Sequence, residues 1–150
     1  MNSKTVVDDF VNQKSYAVVG VSRNARKFGN VIYKELKKKG IKAFPVNPNM
    51  NEFESEKCYP GLADISFTVD GVIINVPPAQ TERIVVDAHT AGINRVWLQQ
   101  GSQSEKAVEY CKEHSIDCVN NECILMFLEP AAFIHRAHKW LWEVVGKLPQ

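Results

Sequence analysis

Short uninterrupted apolar runs rich in branched residues recur along this chain, separated by stretches whose apolar positions return every three or four residues. Runs of the first kind suit strands buried on both faces, stretches of the second kind suit amphipathic helices, and their alternation predicts an α/β fold with a mostly parallel sheet. Residues 16–21 (YAVVGV) are the first expected strand. A helix over 29–39 gathers Val31, Ile32 and Leu36 on one face with lysines around the other, and Gly40 closes it at the C′ position. Residues 42–46 (KAFPV) form a second strand in which Pro45 marks a point where the ladder needs no backbone donor. Residues 47–60 then read as a polar loop with a short edge strand near 57–59. Residues 70–76 (DGVIINV) are a third strong strand, stopped by Pro77 and Pro78. A helix over 79–91 ends at Gly92, a strand follows over 95–98, a helix over 104–114, and a last strand over 117–119. Glu129 and Pro130 open a final packing helix that carries Trp140 and Trp142.

The length of 150 residues, 45% of them hydrophobic, suffices for one core and falls short of two, so residues 1–150 are read as a single domain. Eighteen Lys plus Arg against seventeen Asp plus Glu leave a net charge of +1, and no basic field exists to hold a nucleic-acid backbone. The chain contains no run of roughly 18 uninterrupted apolar residues, so no membrane span is expected and the protein is placed in the cytoplasm. Cys58, Cys111, Cys118 and Cys123 form no C-x-x-C pair and are expected to be reduced thiols, mostly buried.

In an open parallel sheet, ligands bind beyond the carboxyl ends of the strands, so the residues after each strand belong to one surface. The first strand runs into Gly20–Gly29 (GVSRNARKFG), which leads to a helix start whose free N–H groups attract anions. The spacing is too long for G-x-G-x-x-G, Ser22 stands where its second glycine would be, and no Walker lysine motif is present. Arg23, Arg26 and Lys27 place three cations within five positions, more than one diphosphate needs. The second strand ends in Val46, Asn47, Pro48 and Asn49 without the acidic residue that holds the ribose of NAD, which favours a ligand bearing an extra phosphate. The third strand ends in N-V-P-P, whose prolines make a stiff apolar wall, and the fourth in L-Q-Q-G-S, which offers amides.

The ordered set G-V-S-x-x-x-x-K-x-G, V-N-P, V-P-P, W-x-Q-x-G and a late cysteine resembles the stand-alone CoA-binding domain family, related to the N-terminal domain of the succinyl-CoA synthetase alpha subunit. The likeness covers about residues 10–125. It implies a three-layer Rossmann-like domain that binds coenzyme A or an acyl-CoA non-covalently at the strand ends. By that likeness Gly20, Ser22, Arg26 and Lys27 would hold phosphates, and Asn47 and Pro48 would flank the nucleotide. Val76 and Pro77 would line its adenine or pantetheine side, with Gln100 and Gly101 on the opposite lip. In the synthetase the catalytic histidine belongs to a second domain, so the likeness implies binding without ligase chemistry, and the chain is expected not to be an enzyme. Cys123, beyond the last strand, would lie near the cations, gain thiolate character and form a mixed disulfide with the CoA thiol.

Other residues carry weaker readings. His135 and His138 fall short of the three or four ligands a metal requires, and His89 and His114 are expected at helix surfaces or ends. An exposed tryptophan on the last helix would serve a homodimer contact. Two alternatives stay open on the residues alone: an NADP-linked reductase in which Arg23 or Arg26 meets the 2′-phosphate, and a protein-interaction module with a vestigial nucleotide site.

Overall fold

The computed structural model describes residues 3–128. In chain order the elements are α1 (Lys4–Val11), β1 (Ser15–Val19), α2 (Phe28–Lys38), β2 (Lys42–Val46), β3 (Glu52–Phe53), β4 (Glu56–Lys57), β5 (Gly71–Ile74), α3 (Pro78–Thr90), β6 (Arg95–Gln99), α4 (Glu105–Glu113) and β7 (Asp117–Glu122). Five strands form one parallel sheet in the order β2-β1-β5-β6-β7, while β3 and β4 make a separate antiparallel hairpin. The expected Rossmann-like α/β class is the observed one. The final helix expected from Glu129 onward, with its tryptophans and its proposed dimer contact, lies outside the described residues.

Strand pleat divides the core into two layers. Tyr16, Val18, Ile73, Trp97 and Val119 face α1, α2 and the turn at 124–126, whereas Ala17, Val19, Val72, Ile74, Val96 and Leu98 face α3 and α4. Both faces are therefore covered, as the unbroken apolar runs require. Trp97 sits wholly buried between Phe10 and Phe127, with ring centroids 5.3 and 5.6 Å away, and its Nε1 donates to the Glu122 carbonyl at 2.9 Å.

The helix ends follow their local chemistry. Gly40 and Gly92 occupy C′, and the amides of Ile41 and Ile93 return to the carbonyls of Leu36 and Ala88 at 3.0 and 2.9 Å. Pro78 opens α3 at its first position, where its missing N–H costs nothing. Pro45 also fits its expected place: among the described residues β2 is the outermost strand of the main sheet, and beyond it only an isolated parallel bridge joins Val46 to Tyr59. The Pro45 carbonyl accepts from the Tyr59 amide at 2.9 Å, so the ring replaces an N–H on the outer side.

Two elements escape the hydrophobic pattern. Helix α1 was not expected, because Asp8 and Asp9 interrupt its apolar positions; Ser3 nonetheless caps it by accepting from the Val6 amide at 3.1 Å, and Val7 and Phe10 turn inward. The β3–β4 hairpin arises within the expected polar loop, its two-residue turn formed by Glu54 and Ser55 at φ 51° and 63°.

Burial pushes the hydroxyls of Tyr16 and Tyr33 up from 10.0 to about 12. The unfolded chain then loses these protons at lower pH than the folded one, so stability falls as pH rises from 10 through 12. For Tyr16, which is 0% exposed, the difference corresponds to about 2–3 kcal/mol. Urea titrations at pH 8 and pH 11 are expected to show a lower midpoint at the higher pH, and Tyr16→Phe is expected to flatten that dependence. Gly29→Ala is expected to lower stability by about 1–3 kcal/mol, measured by the same titration, because its Cβ would enter the Gly20 carbonyl.

Candidate functional site

From β1 the chain crosses to β2 on one side, while β5, β6 and β7 continue on the other, so the connections at the carboxyl ends of β1 and β5 diverge. A doubly wound sheet opens a crevice at such a switch point. Here it is a cleft of about 570 Å³. Its walls are the ends of β1 and β2 (Val19, Gly20, Val46 to Asn49), the turn at Pro60 to Leu62, Val76, and one face of α3.

Close backbone contact sets the cleft's inner corner. Gly20 has φ +126°, and a Cβ there would collide with the Asn75 carbonyl; a Cβ on Gly29 would collide with the Gly20 carbonyl. The start of α2 therefore rests on the end of β1 with no side chain between them, the function of the last glycine in shorter phosphate loops. The residues between the two glycines are folded around Asn30, which is 4% exposed. Its Oδ1 accepts from the Ser22 amide at 2.8 Å, and its Nδ2 donates to the carbonyls of Ser22 and Asn24 at 2.8 and 3.2 Å. Ser22 Oγ accepts from the Asn24 amide at 3.1 Å, and Asn24 Oδ1 from the Arg26 amide at 3.0 Å. Lys27 stands at the N-cap of α2 and supplies no side-chain acceptor, which leaves the helix's first turn suited to an anion.

The expected site residues divide between the cleft and its surroundings. Gly20, Asn47, Pro48 and Val76 lie in the lining. Asn47 also fastens two loops together: its Nδ2 donates to the Val21 carbonyl at 2.8 Å and its Oδ1 accepts from the Asn49 amide at 2.8 Å. Ser22, Arg23, Arg26, Lys27, Pro77, Gln100 and Gly101 lie outside the lining. Arg23 donates through Nη2 to the Asn49 carbonyl at 2.8 Å, closing the loop onto the end of β2, while Arg26 and Lys27 are exposed at its outer edge. Pro77 is the exposed N-cap of α3. The Gln100 amide donates to the Glu122 carbonyl at 3.2 Å, and the Gly101 amide to Gln103 Oε1 at 2.9 Å.

The V-P-P and W-x-Q-x-G motifs meet through Ser102, a buried residue that sequence reasoning did not single out. Its Oγ accepts from the Val76 amide at 3.0 Å, and its carbonyl accepts from Thr81 Oγ1 at 2.6 Å, so the loop after β6 fixes the start of α3. Gln99 and Trp97 point the other way, the first accepting from the Ile124 amide at 3.1 Å. These two motif residues therefore hold the sheet to the segment at 124–126.

Cys123 departs from its expected environment. It is 6% exposed, packed in the core beside Gln99 and off the cleft lining, and burial pushes its thiol up. None of the three loop cations acts on it: Arg23 donates to the Asn49 carbonyl, Arg26 and Lys27 are exposed, and burial outweighs every other influence on the thiol.

Helix α3 contributes residues that the sequence reading missed. Ala79, Gln80, Arg83, Ile84 and Asp87 share one helical stripe along the cleft wall, and among the described residues Arg83 is the one cation of the lining. The signal was available as the spacing 80, 83, 84, 87 immediately after V-P-P, but a charged stripe on an amphipathic helix reads as a solvated face. Among the described residues no cluster of three or more His, Cys, Asp or Glu is placed to hold a metal, and no helix is long and apolar enough to cross a membrane.

A family model described as CoA binding domain matches residues 14–129. An ADP-forming acetate–CoA ligase II of Archaeoglobus fulgidus is 34% identical over 120 residues, covering 72% of this chain and 18% of that protein. The alpha subunit of the ADP-forming acetate–CoA ligase II of Pyrococcus furiosus is 27% identical over 130 residues, covering 79% of this chain and 28% of the subunit. The chain thus spans less than a third of these curated relatives. A hypothetical protein from Pyrococcus horikoshii superposes with a TM-score of 0.77 at 27% identity, covering 94% of this chain and 92% of that one. A conserved hypothetical protein from Pyrococcus furiosus gives 0.72 at 34% identity, covering 75% and 97%.

The thiol environments have a direct readout. Cys58, Cys111 and Cys123 are buried and Cys118 is partly exposed. A bulky aromatic disulfide reagent added to the native protein is expected to leave Cys123 unmodified until the protein unfolds, as read by mass mapping of the digested product.

Proposed function

Because this chain belongs to the CoA-binding domain family, we propose that it holds coenzyme A or a CoA thioester non-covalently in the switch-point cleft, without itself catalysing a reaction. The observation that carries this reading is the union of two features at one place. A backbone-lined corner at Gly20 and Gly29 faces the open start of α2, and it adjoins an apolar slot formed by Val19, Val46, Leu62, Val76 and Ile84. The corner suits a diphosphate, whose oxygens accept from backbone N–H groups and the helix dipole. The slot suits a purine, which gains from flat apolar contact while its edge amino group and nitrogens stay near polar residues. Arg26 and Lys27, exposed at the edge of the loop, would add charge-assisted contacts to the diphosphate.

The acetate–CoA ligases that this chain resembles are several times longer, and the region they share with it is the part that the family model describes as CoA binding. The role read for it is that of a carrier, sensor or interaction module for the cofactor.

Calorimetric titration with CoA and acetyl-CoA is expected to show saturable one-to-one binding for both. The double variant R26Q/K27Q, altered only at exposed positions, is expected to keep its thermal midpoint and to lose about tenfold or more in affinity, since each charge-assisted bond contributes about 1.5–3 kcal/mol. Absence of binding heat at millimolar CoA would overturn the reading.

A further inference from the structure

The sequence suggested that the cations between Gly20 and Gly29 read an additional phosphate, but they do not line the cleft. Among the described residues the charge inside it comes from α3. A crossover helix runs antiparallel to the strands it joins, so Pro78 lies beside the strand ends and the chain then descends along the outer face of the sheet. Arg83 is five residues beyond Pro78, about 7–8 Å along the helix axis, and Asp87 is one further turn down. Both line the cleft, and they are not joined to each other or to another group by an ion pair among the described residues. An Arg and an Asp at i and i+4 on one helix ordinarily relieve each other's charge, although with the cation nearer the N-terminus the arrangement is the weaker of the two orders. Here both remain directed to a shared cavity whose floor, Val46, Leu62 and Ile84, is apolar. A cation and a carboxylate around an apolar slot complement a ligand that is flat and apolar in the middle, with an anionic group on one side and N–H donors on another.

We infer that Arg83 binds a phosphate monoester carried on the ribose of an adenine nucleotide, and that Asp87 accepts from the adenine amino group. This deepens the CoA reading and rests on it for the identity of the ligand. With the diphosphate at Gly20 and the adenine over Ile84, the ribose lies between them and its phosphate falls toward the first turns of α3. The same chemistry occurs in two sources, the 3′-phosphate of CoA and the 2′-phosphate of NADP. The missing acidic residue after β2, where Val46, Asn47, Pro48 and Asn49 stand, removes the repulsion that either phosphate would meet there. Arg83 thus becomes the residue that selects phosphorylated over unphosphorylated ribose, and the loop cations serve the diphosphate that all these ligands share.

The test compares wild type, R83Q and R26Q in titrations with CoA, dephospho-CoA, NADP and NAD. All substituted positions are exposed, and thermal melting checks that each variant is folded. Wild type is expected to prefer CoA to dephospho-CoA by about tenfold or more, the size of one charge-assisted contact. R83Q is expected to erase that preference by weakening CoA alone, whereas R26Q lowers both affinities alike and keeps their ratio. If wild type binds NADP in place of CoA and R83Q erases its preference over NAD, the Arg83 inference stands and the CoA reading fails. If wild type binds CoA but R83Q leaves the CoA to dephospho-CoA ratio intact, or R26Q collapses it, the Arg83 inference fails and the CoA reading stands.

Discussion

The architecture of the cleft depends on two backbones that touch. Gly20 lies against the Asn75 carbonyl and Gly29 against the Gly20 carbonyl, so the ends of β1 and β5 and the beginning of α2 converge with no side chain among them. A Cβ at Gly29 would push α2 off the end of β1, and one at Gly20 would push the ends of β1 and β5 apart. Convergence of this kind sets the start of α2 against the end of β1 beside the switch-point crevice, and no side chain caps that helix start, which leaves it suited to an anion. The loop between the glycines can be long because Asn30 supplies, from one buried amide side chain, the partners that its backbone would otherwise lack.

Around that corner the polar side chains act in two groups. Asn47, Ser102 and Thr81 tie loops to one another, so the end of β2, the start of α3 and the loop after β6 hold their relative positions without relying on apolar contact at the solvent edge. Arg83 and Asp87 make no ion pair among the described residues. A rigid rim with unspent charges inside it is the arrangement that favours recognition, because little side-chain order is lost when a ligand arrives. The cysteines contribute differently: Cys58 and Cys123 are pushed up by burial, and Cys118, on β7, is pushed up by the neighbouring Cys111 thiol and by burial.

Much of the fold was legible from the chain. The continuous apolar runs at Tyr16–Val19 and Gly71–Ile74 identified doubly buried strands, Gly40 and Gly92 marked helix ends, and V-P-P located the start of α3 within a residue. What escaped was local and polar. Helix α1 hid behind Asp8 and Asp9, and the β3–β4 hairpin behind a stretch with little alternation, since Phe53 is its one buried member. Cys123 was misjudged because chain position after a strand says nothing about which way the following turn folds, and the turn at 124–126 folds it inward.

The sequence by itself determined the parallel sheet, the order of its loops and the family likeness, because each rests on neighbours within a few residues: periodicity, a proline or a glycine. Tertiary structure alone decided which charges enter the cleft. Arg23, Arg26 and Lys27 are adjacent in the chain yet outside it, whereas Arg83 and Asp87, some sixty residues later, line it beside Gly20. Electrostatic recognition depends on distance through space and on the direction in which a helix face is turned, and these are fixed only when α3 packs Val85 and Ala88 against the sheet.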